Sequence, residues 1–472
     1  MDALWSLSAR EMAAAVQSRQ CSALEIARST IDRLTQVNPA LNAVIRHDPT
    51  QVIEQAHTVE QRLGRGEQLP LAGVPITVKD NLWVRGQRVT QGSRLFSEFV
   101  APEDAWAVSR LRDLGAVLLG MTNCSEFACK GVTSNPLHGT TRSPWDLGLT
   151  PGGSSGGAAS ATAAGIGALA LATDAGGSVR RPAAHTGLVG MKPTFGIVPY
   201  GLGFQEPSFG LSVIGQLGRD VGDVALLWRS LLGYSPTDWG GQRVADMPDA
   251  PWNHPPSRDL RIAWSPDLGC GYPIDGDVLA LLERQVEKLE QEGYRIHAAA
   301  PQWPAELIEL PLLALQHAGL AALHGSALGT EEESKLDPDI AAQIRQGLNY
   351  TGRELAQVLL LREKLHLACA HFFERFDLLL CPTTPTVSWP VDQLGPAEIG
   401  GQPAGPRGHA VFTPLFNFAQ TPACSVPVGL ARDLPVGLQI VGPRYGDASV
   451  LRFAAHVERL AGPPIRCPLW TP

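Results

Sequence analysis

From Gly156 to Thr173 the chain carries no charged residue, and only Ile166, Leu169 and Leu171 in that stretch are large. The rest is mostly Ala and Gly with Ser and Thr. An uncharged run of this length raises the question of a membrane span, but the composition answers it. Small side chains let neighbouring elements approach closely. The segment therefore suits a tightly packed, buried helix followed by a strand, Ala168 to Thr173. A glycine-rich loop flanks it on each side, Thr150 to Gly157 and Asp174 to Arg180.

With 472 residues the chain is long enough for two or three domains, or for one large α/β domain. Apolar residues are 44% and charged residues 18%, so a core is easily filled and disorder is excluded as the main class. Lys and Arg number 38 against 46 Asp and Glu, a net charge of −8 without long like-charge blocks. That excludes a nucleic-acid or anionic-membrane surface, which needs basic patches. Met1-Asp2-Ala3-Leu4-Trp5 has no basic region leading into an apolar one, so a cytoplasmic protein without a secretory signal is expected. The eight cysteines are scattered, as in a chain of reduced thiols. Cys124 and Cys129 lack a second pair to complete a zinc site. The histidines form no H-E-x-x-H cluster, and no metal site is predicted.

Capping boxes at Ser8-x-x-Glu11 and Ser22-x-x-Glu25 predict two N-terminal helices. Asn38-Pro39 predicts that the second ends near Gln36 or Val37. A third helix is predicted over about Gln51 to Leu63. Strands then alternate with helices: strands at Val74 to Val78, Ala116 to Leu119, Asp377 to Leu380, Ala423 to Pro427 and Gly437 to Val441, helices at Asp104 to Leu114 and Asp447 to Leu460. This alternation predicts an α/β fold with a largely parallel or mixed sheet covered on both faces. The middle, about Ser235 to Phe376, reads as mostly helical. Because the first and last thirds both supply core strands, one shared sheet is expected.

The two glycine-rich loops carry the chemistry. Paired glycines let the backbone take positive φ and approach a ligand. Successive N–H groups in such turns form an anion-binding concavity. A serine in a glycine-lined turn after a buried strand is a plausible nucleophile beside an oxyanion hole. Two patterns here mislead. Gly152-x-Ser154-x-Gly156 matches the nucleophile elbow of an α/β-hydrolase esterase, but the loop residues Arg142 to Asp146 stand where a strand should. Gly165-x-Gly167-x-x-Ala170 matches a dinucleotide fingerprint, but it leads into a strand.

The chain resembles the amidase signature hydrolases. The resemblance rests on Leu71 to Asn81, Thr122-Asn123 with Glu126-Phe127-Ala128, Ser134-Asn135-Pro136, Pro144-Trp145-Asp146, both glycine–serine loops, Gly187 to Thr194, Pro382 to Pro385 and Leu434 to Gln439. It implies the family's fold, a central mixed β-sheet covered by helices on both faces. A single domain is expected over 1–472: N-terminal helices at 1–66, a signature core at 67–232, a variable helical region at 233–376, and C-terminal core strands and a helix at 377–472.

The family uses a Ser–cis-Ser–Lys triad without metal or cofactor. The resemblance assigns Ser178 as nucleophile, Ser154 as the bridging serine after a cis peptide, and Lys79 as base. It implies an oxyanion hole from the amides of Ala175, Gly176, Gly177 and Ser178, support from Ser155 and Arg180, and Ala128 lining the acyl pocket. Lysine's ordinary pKa of about 10.4 must fall substantially for Lys79 to act as base, and its place at the end of an apolar strand would bury it. The bland reading of Lys79 is a strand-end lysine paired with Asp80. The implied activity is hydrolysis of a small carboxamide, anilide or urea-like substrate by a homodimer. The alternatives are an esterase and the glutaminase subunit of a tRNA-dependent amidotransferase. That subunit grips glutamine with an Arg and an Asp; Arg362 is a candidate for the first, while the segment His409 to Pro414 offers no acid for the second.

Overall fold

The computed structural model describes residues 3–243, 252–307, 312–405 and 407–470. Their central feature is an eleven-stranded mixed sheet. Its strands are β1 (Val44–Arg46), β2 (Pro75–Lys79), β3 (Val117–Thr122), β4 (Leu169–Asp174), β5 (Val189–Lys192), β6 (Val213–Gly218), β7 (Ile262–Trp264), β8 (Ile296–Ala298), β9 (Leu378–Pro382), β10 (Ala423–Ala431) and β11 (Leu434–Val441). They lie in the order β1-β3-β2-β4-β6-β5-β10-β11-β9-β7-β8. β2 runs parallel to both β3 and β4, and β9, β7 and β8 are mutually parallel where they pair. The centre is antiparallel, and there β5 pairs with β10, joining the first and last thirds of the chain.

Helices cover both faces, as alternation along single strands shows. A Cβ on Gly437 would meet Ala184 in the helix Arg180–Thr186, whereas one on Gly442, five residues on, would meet Val450 in the helix Asp447–Ala461. Likewise Gly215 faces Val179 while Gly218 faces Val224. These glycines let helices settle directly on the sheet.

Both N-terminal capping boxes form, with Ser8 and Ser22 each accepting from the amide three residues on. The second helix, however, runs past the predicted stop, from Ala23 to Leu41 with Pro39 inside it. A proline in the last turn forfeits only its own N–H bond. Beyond the helix end, Asn38 Oδ1 accepts from the amides of Ala43 and Val44 at 3.1 and 2.8 Å and fixes the path of the exiting chain. The region read as helical contains the helices Gly276–Gln291, Ala314–His324, Pro338–Leu348 and Gly352–Arg375, but also β7 and β8. These three-residue edge strands are too short to print a period of two. β5 and β6 are masked in the sequence by the glycines that admit the helices above them.

The uncharged run folds as the helix Gly156–Ala163, buried throughout, followed by β4. Its glycines are obligatory. A Cβ on Gly157 would lie 2.4 Å from the Asn123 carbonyl oxygen, and one on Gly156 would lie 2.5 Å from Thr133 Oγ1. No described helix is long and apolar enough to cross a membrane.

Candidate active site

β2 ends at Lys79 and its parallel neighbour β4 ends at Asp174, so both open on the same edge of the sheet. Ligands of α/β sheets bind outside such carboxyl ends. Lys79 is fully buried. Its Nζ lies 2.7 Å from Ser154 Oγ and 3.0 Å from Thr173 Oγ1. Thr173 Oγ1 also accepts from Asn81 Nδ2 at 2.9 Å. Burial pulls the Lys79 amine down to about 8, against weaker upward pulls from Cys124 and Asp174.

Asp80 is not its partner. Adjacent residues of a strand face opposite ways, and the Asp80 carboxylate accepts instead from the Thr90 hydroxyl and from the amides of Thr90 (3.1 Å) and Gly92 (3.3 Å).

Ser154 follows a cis peptide from Gly153. A Cβ on Gly153 would strike the Val132 backbone at 2.6 Å, so only glycine fits there. Ser154 sits in a loop that enters the helix Gly156–Ala163, with no strand leading into it as a nucleophile elbow would require. Ser155 ties this loop to the next one. Its amide donates to the Ser178 carbonyl at 3.3 Å, and its hydroxyl to the Thr173 carbonyl at 3.3 Å. Ser154 and Ser178 line one recess together with Ala128 and Asn81.

The loop of Ala175 to Ser178 is held by Asp174, which sequence reasoning left without a role. Its carboxylate accepts from the amides of Gly177 (2.7 Å) and Val179 (3.1 Å), from Asn417 Nδ2 (3.0 Å), and from Arg180 Nη2 (2.9 Å) and Nε (3.1 Å). Burial pushes the Asp174 carboxyl up, but the Arg180 guanidinium, the Asn417 amide and the charge of Lys192 together outweigh it and hold the carboxyl well below the usual range. Arg180 is fully buried and reaches on to the Thr413 carbonyl (3.1 Å) and to Gln439 Oε1 (2.7 Å). Gly177 takes φ +106°, and a Cβ there would fall 2.0 Å from Thr413 Oγ1.

Beside Ser178 opens a cavity of about 210 Å³, lined in part by Ala128, Ala175 and Gly176, and by Arg181 and Arg407. Sequence reasoning left Arg181 unassigned and did not single out Arg407. Arg181 lies one helical turn after Ser178; Arg407 comes from a distant loop and left no local signal. Arg362 lies outside this lining and donates to the Phe209 carbonyl at 2.8 Å. Cys124 and Cys129 are buried free thiols, and the described residues contain no cluster of metal-ligating side chains.

The amidase family model matches residues 25–451. The chain is 35% identical to a glutamyl-tRNA(Gln) amidotransferase subunit of Moorella thermoacetica, over 97% of each chain. It is also 35% identical to an acylamidase of Rhodococcus erythropolis, over 96% of this chain and 95% of that one. A solved 6-aminohexanoate cyclic dimer hydrolase with its substrate superposes over all of both chains with a TM-score of 0.88 at 27% identity. On these matches the chain belongs to the amidase signature family of hydrolases.

Proposed function

We propose that the chain hydrolyses the C–N bond of a small carboxamide through a seryl acyl-enzyme, with Ser178 as nucleophile, Ser154 as proton bridge and Lys79 as base. The observation that carries this reading is the buried amine of Lys79, its pKa lowered toward neutrality, 2.7 Å from Ser154 Oγ. Thr173 supports it. Its hydroxyl oxygen engages the N–H side of the amine, leaving the nitrogen lone pair for Ser154.

Ser178 Oγ attacks the carbonyl carbon. Its proton passes to Ser154 Oγ as the Ser154 proton passes to Lys79. The oxyanion is met by backbone amides. The Gly177 amide is already donated to Asp174, so the donors proposed are those of Ala175, Gly176 and Ser178. The proton returns through Ser154 to the departing nitrogen as the C–N bond breaks. Water then attacks the ester, giving its proton to the same relay, and Ser178 leaves with a proton restored.

Sequence similarity does not choose between a stand-alone amidase and a glutaminase subunit, since relatives of both names match at 35%. The site favours the former, because no described residue lining the cavity beside Ser178 is an acid that could meet an α-ammonium group. Trapping with a fluorophosphonate and mapping the adduct tests the reading. Modification of Ser178 is expected. Modification of Ser154 would favour the esterase elbow, and labelling of neither would remove the acyl-enzyme.

A further inference from the structure

Among the described residues, three cationic side chains line the cavity beside Ser178, and no carboxylate does. Lys130 is matched: its Nζ pairs with Asp337 and lies 3.5 Å from Asp339. Arg181 and Arg407 form no ion pair among the described residues. Arg181 is 3% exposed. Its Nη2 reaches the Gly153 carbonyl at 3.4 Å, a long and neutral contact, and its Nε has no hydrogen-bond partner. Asp174 attracts it only from a distance, since Arg180, Asn417 and the loop amides occupy the Asp174 oxygens. Burial, and then the like charge of Arg407, push the Arg181 guanidinium down to about 9. A buried guanidinium and a half-buried one, facing one cavity with no anion among the described residues, are costly to keep.

We infer that the amide substrate bears a carboxylate, which enters this cavity and is held by Arg181 and Arg407. The planar fork of Arg matches a carboxylate with two parallel bonds. The remaining wall is largely apolar, with Leu211, Leu312, Leu415 and Phe418, which fits a short aliphatic stem between amide and acid. The volume of about 210 Å³ lies below the roughly 300–1,000 Å³ of sites for drug-sized ligands, so the stem is short. An α-amino acid fits less well. Glu206, which lines the adjoining recess, already accepts from the amides of Ser208 and Gly210. This inference rests on the amidase reading only for the position of the scissile bond.

Three amides of equal stem length test it on the purified full chain: pentanamide, glutaramate and glutamine. They differ by one carboxylate and then by one ammonium. Glutaramate is expected to exceed pentanamide in kcat/KM by about 100-fold, the scale of two charge-assisted bonds, and to exceed glutamine. In Arg181→Met the glutaramate-to-pentanamide ratio should collapse through KM, with partial recovery in Arg181→Lys. Arg407→Gln, nearer the mouth, should lower the same ratio if Arg181→Met does not fold. Equal turnover of glutaramate and pentanamide, a ratio unmoved in both variants, or preference for glutamine would overturn the inference. Calorimetry with glutarate reads the anion site without catalysis. Binding by the wild type that Arg407→Gln weakens upholds the inference even if no amide is cleaved and Ser178 is not labelled, an outcome that would sink the amidase reading alone. Absence of glutarate binding overturns the inference.

Discussion

Lys79 Nζ and Ser154 Oγ meet at 2.7 Å although 75 residues separate them in sequence. The contact is made because β2 delivers Lys79 to the interior while turning Asp80 to the opposite face, leaving the amine without a carboxylate partner. On the proposed mechanism a lysine so placed serves as the base rather than as half of an ion pair. Lys79→Ala is therefore expected to lower kcat on amides by at least about 1,000-fold, within the range of general acid–base contributions. The variant should still fold, as far-UV circular dichroism would record. Ester turnover should fall less, because an alkoxide leaving group needs less proton assistance. Undiminished amide turnover would remove Lys79 from the mechanism.

The same burial sets a pH dependence. Protonated Lys79 cannot accept a proton, so kcat/KM should rise tenfold per pH unit below about 8 and level above it. Stability moves in the same direction. Between about 8 and the ordinary 10.5, the unfolded chain holds a proton on Lys79 that the folded chain lacks. Raising the pH through that window thus stabilises the fold, by on the order of 3 kcal/mol for a shift of this size. Below 8 the charged amine is buried and the whole penalty applies. Denaturant titrations of wild type and Lys79→Met at several pH values check this. The difference between them should change across the window from about 8 to 10.5 and stay flat below it.

On the proposed mechanism Thr173 positions the amine. It is the shared acceptor of Lys79 and Asn81, and it neighbours the sequence motif without belonging to its recognisable part. Thr173→Val keeps the shape and removes the acceptor. The expected result is a loss of about 10- to 100-fold in kcat with KM little changed, and a shift in the pH midpoint of kcat/KM. A purely structural role would leave that midpoint where it was.

How much of this is legible in the sequence depends on the distance over which each signal acts. Capping boxes, the Ala/Gly helix and the loop glycines are local, and the structure follows them at Ser8, Ser22 and Gly157. The second helix runs past Pro39 against its local signal because a proline so near the end removes one hydrogen bond, and the Asn38 side chain ties down the chain that follows. β7 and β8 escape a sequence reading because an edge strand of three residues is defined by its neighbour rather than by its own pattern. At the site, the motif residues Lys79, Ser154 and Ser178 could be named from their neighbours in sequence. Arg407 could not, since nothing near it says that its side chain lines the cavity beside Ser178.

The Asp174–Arg180 pair holds the loop of Ala175 to Ser178, and both side chains are fully buried. Removing one partner leaves a charge in the interior without its counter-ion, which costs about 3–5 kcal/mol. Arg180→Met is expected to lower unfolding free energy by that amount, measured with urea. The Asp174 carboxyl should then rise toward the normal range, so the variant's stability should gain less between pH 2 and 5 than the wild type's, where depressed Asp174 adds stability as pH rises. Equal stability of variant and wild type would mean that Asn417 and the loop amides suffice to hold Asp174.

Gly177 offers the most local test of the loop. Its φ of +106° is a region that side chains avoid, and its Cβ position is occupied by Thr413 Oγ1 at 2.0 Å. Thr413 cannot retreat freely, because its hydroxyl donates to the Gly176 carbonyl at 2.8 Å. Gly177→Ala must therefore shift the backbone that presents the amides of Gly176 and Ser178. Loss of one oxyanion donor costs about 100- to 1,000-fold in kcat, and a loss of that size is expected here. The far-UV spectrum should be preserved, because the loop lies outside the sheet. Labelling of Ser178 by fluorophosphonate should slow in parallel, since its pentacovalent transition state uses the same donors. Normal labelling alongside lost amide turnover would show that the amides do not serve the oxyanion and that the glycine matters for another step.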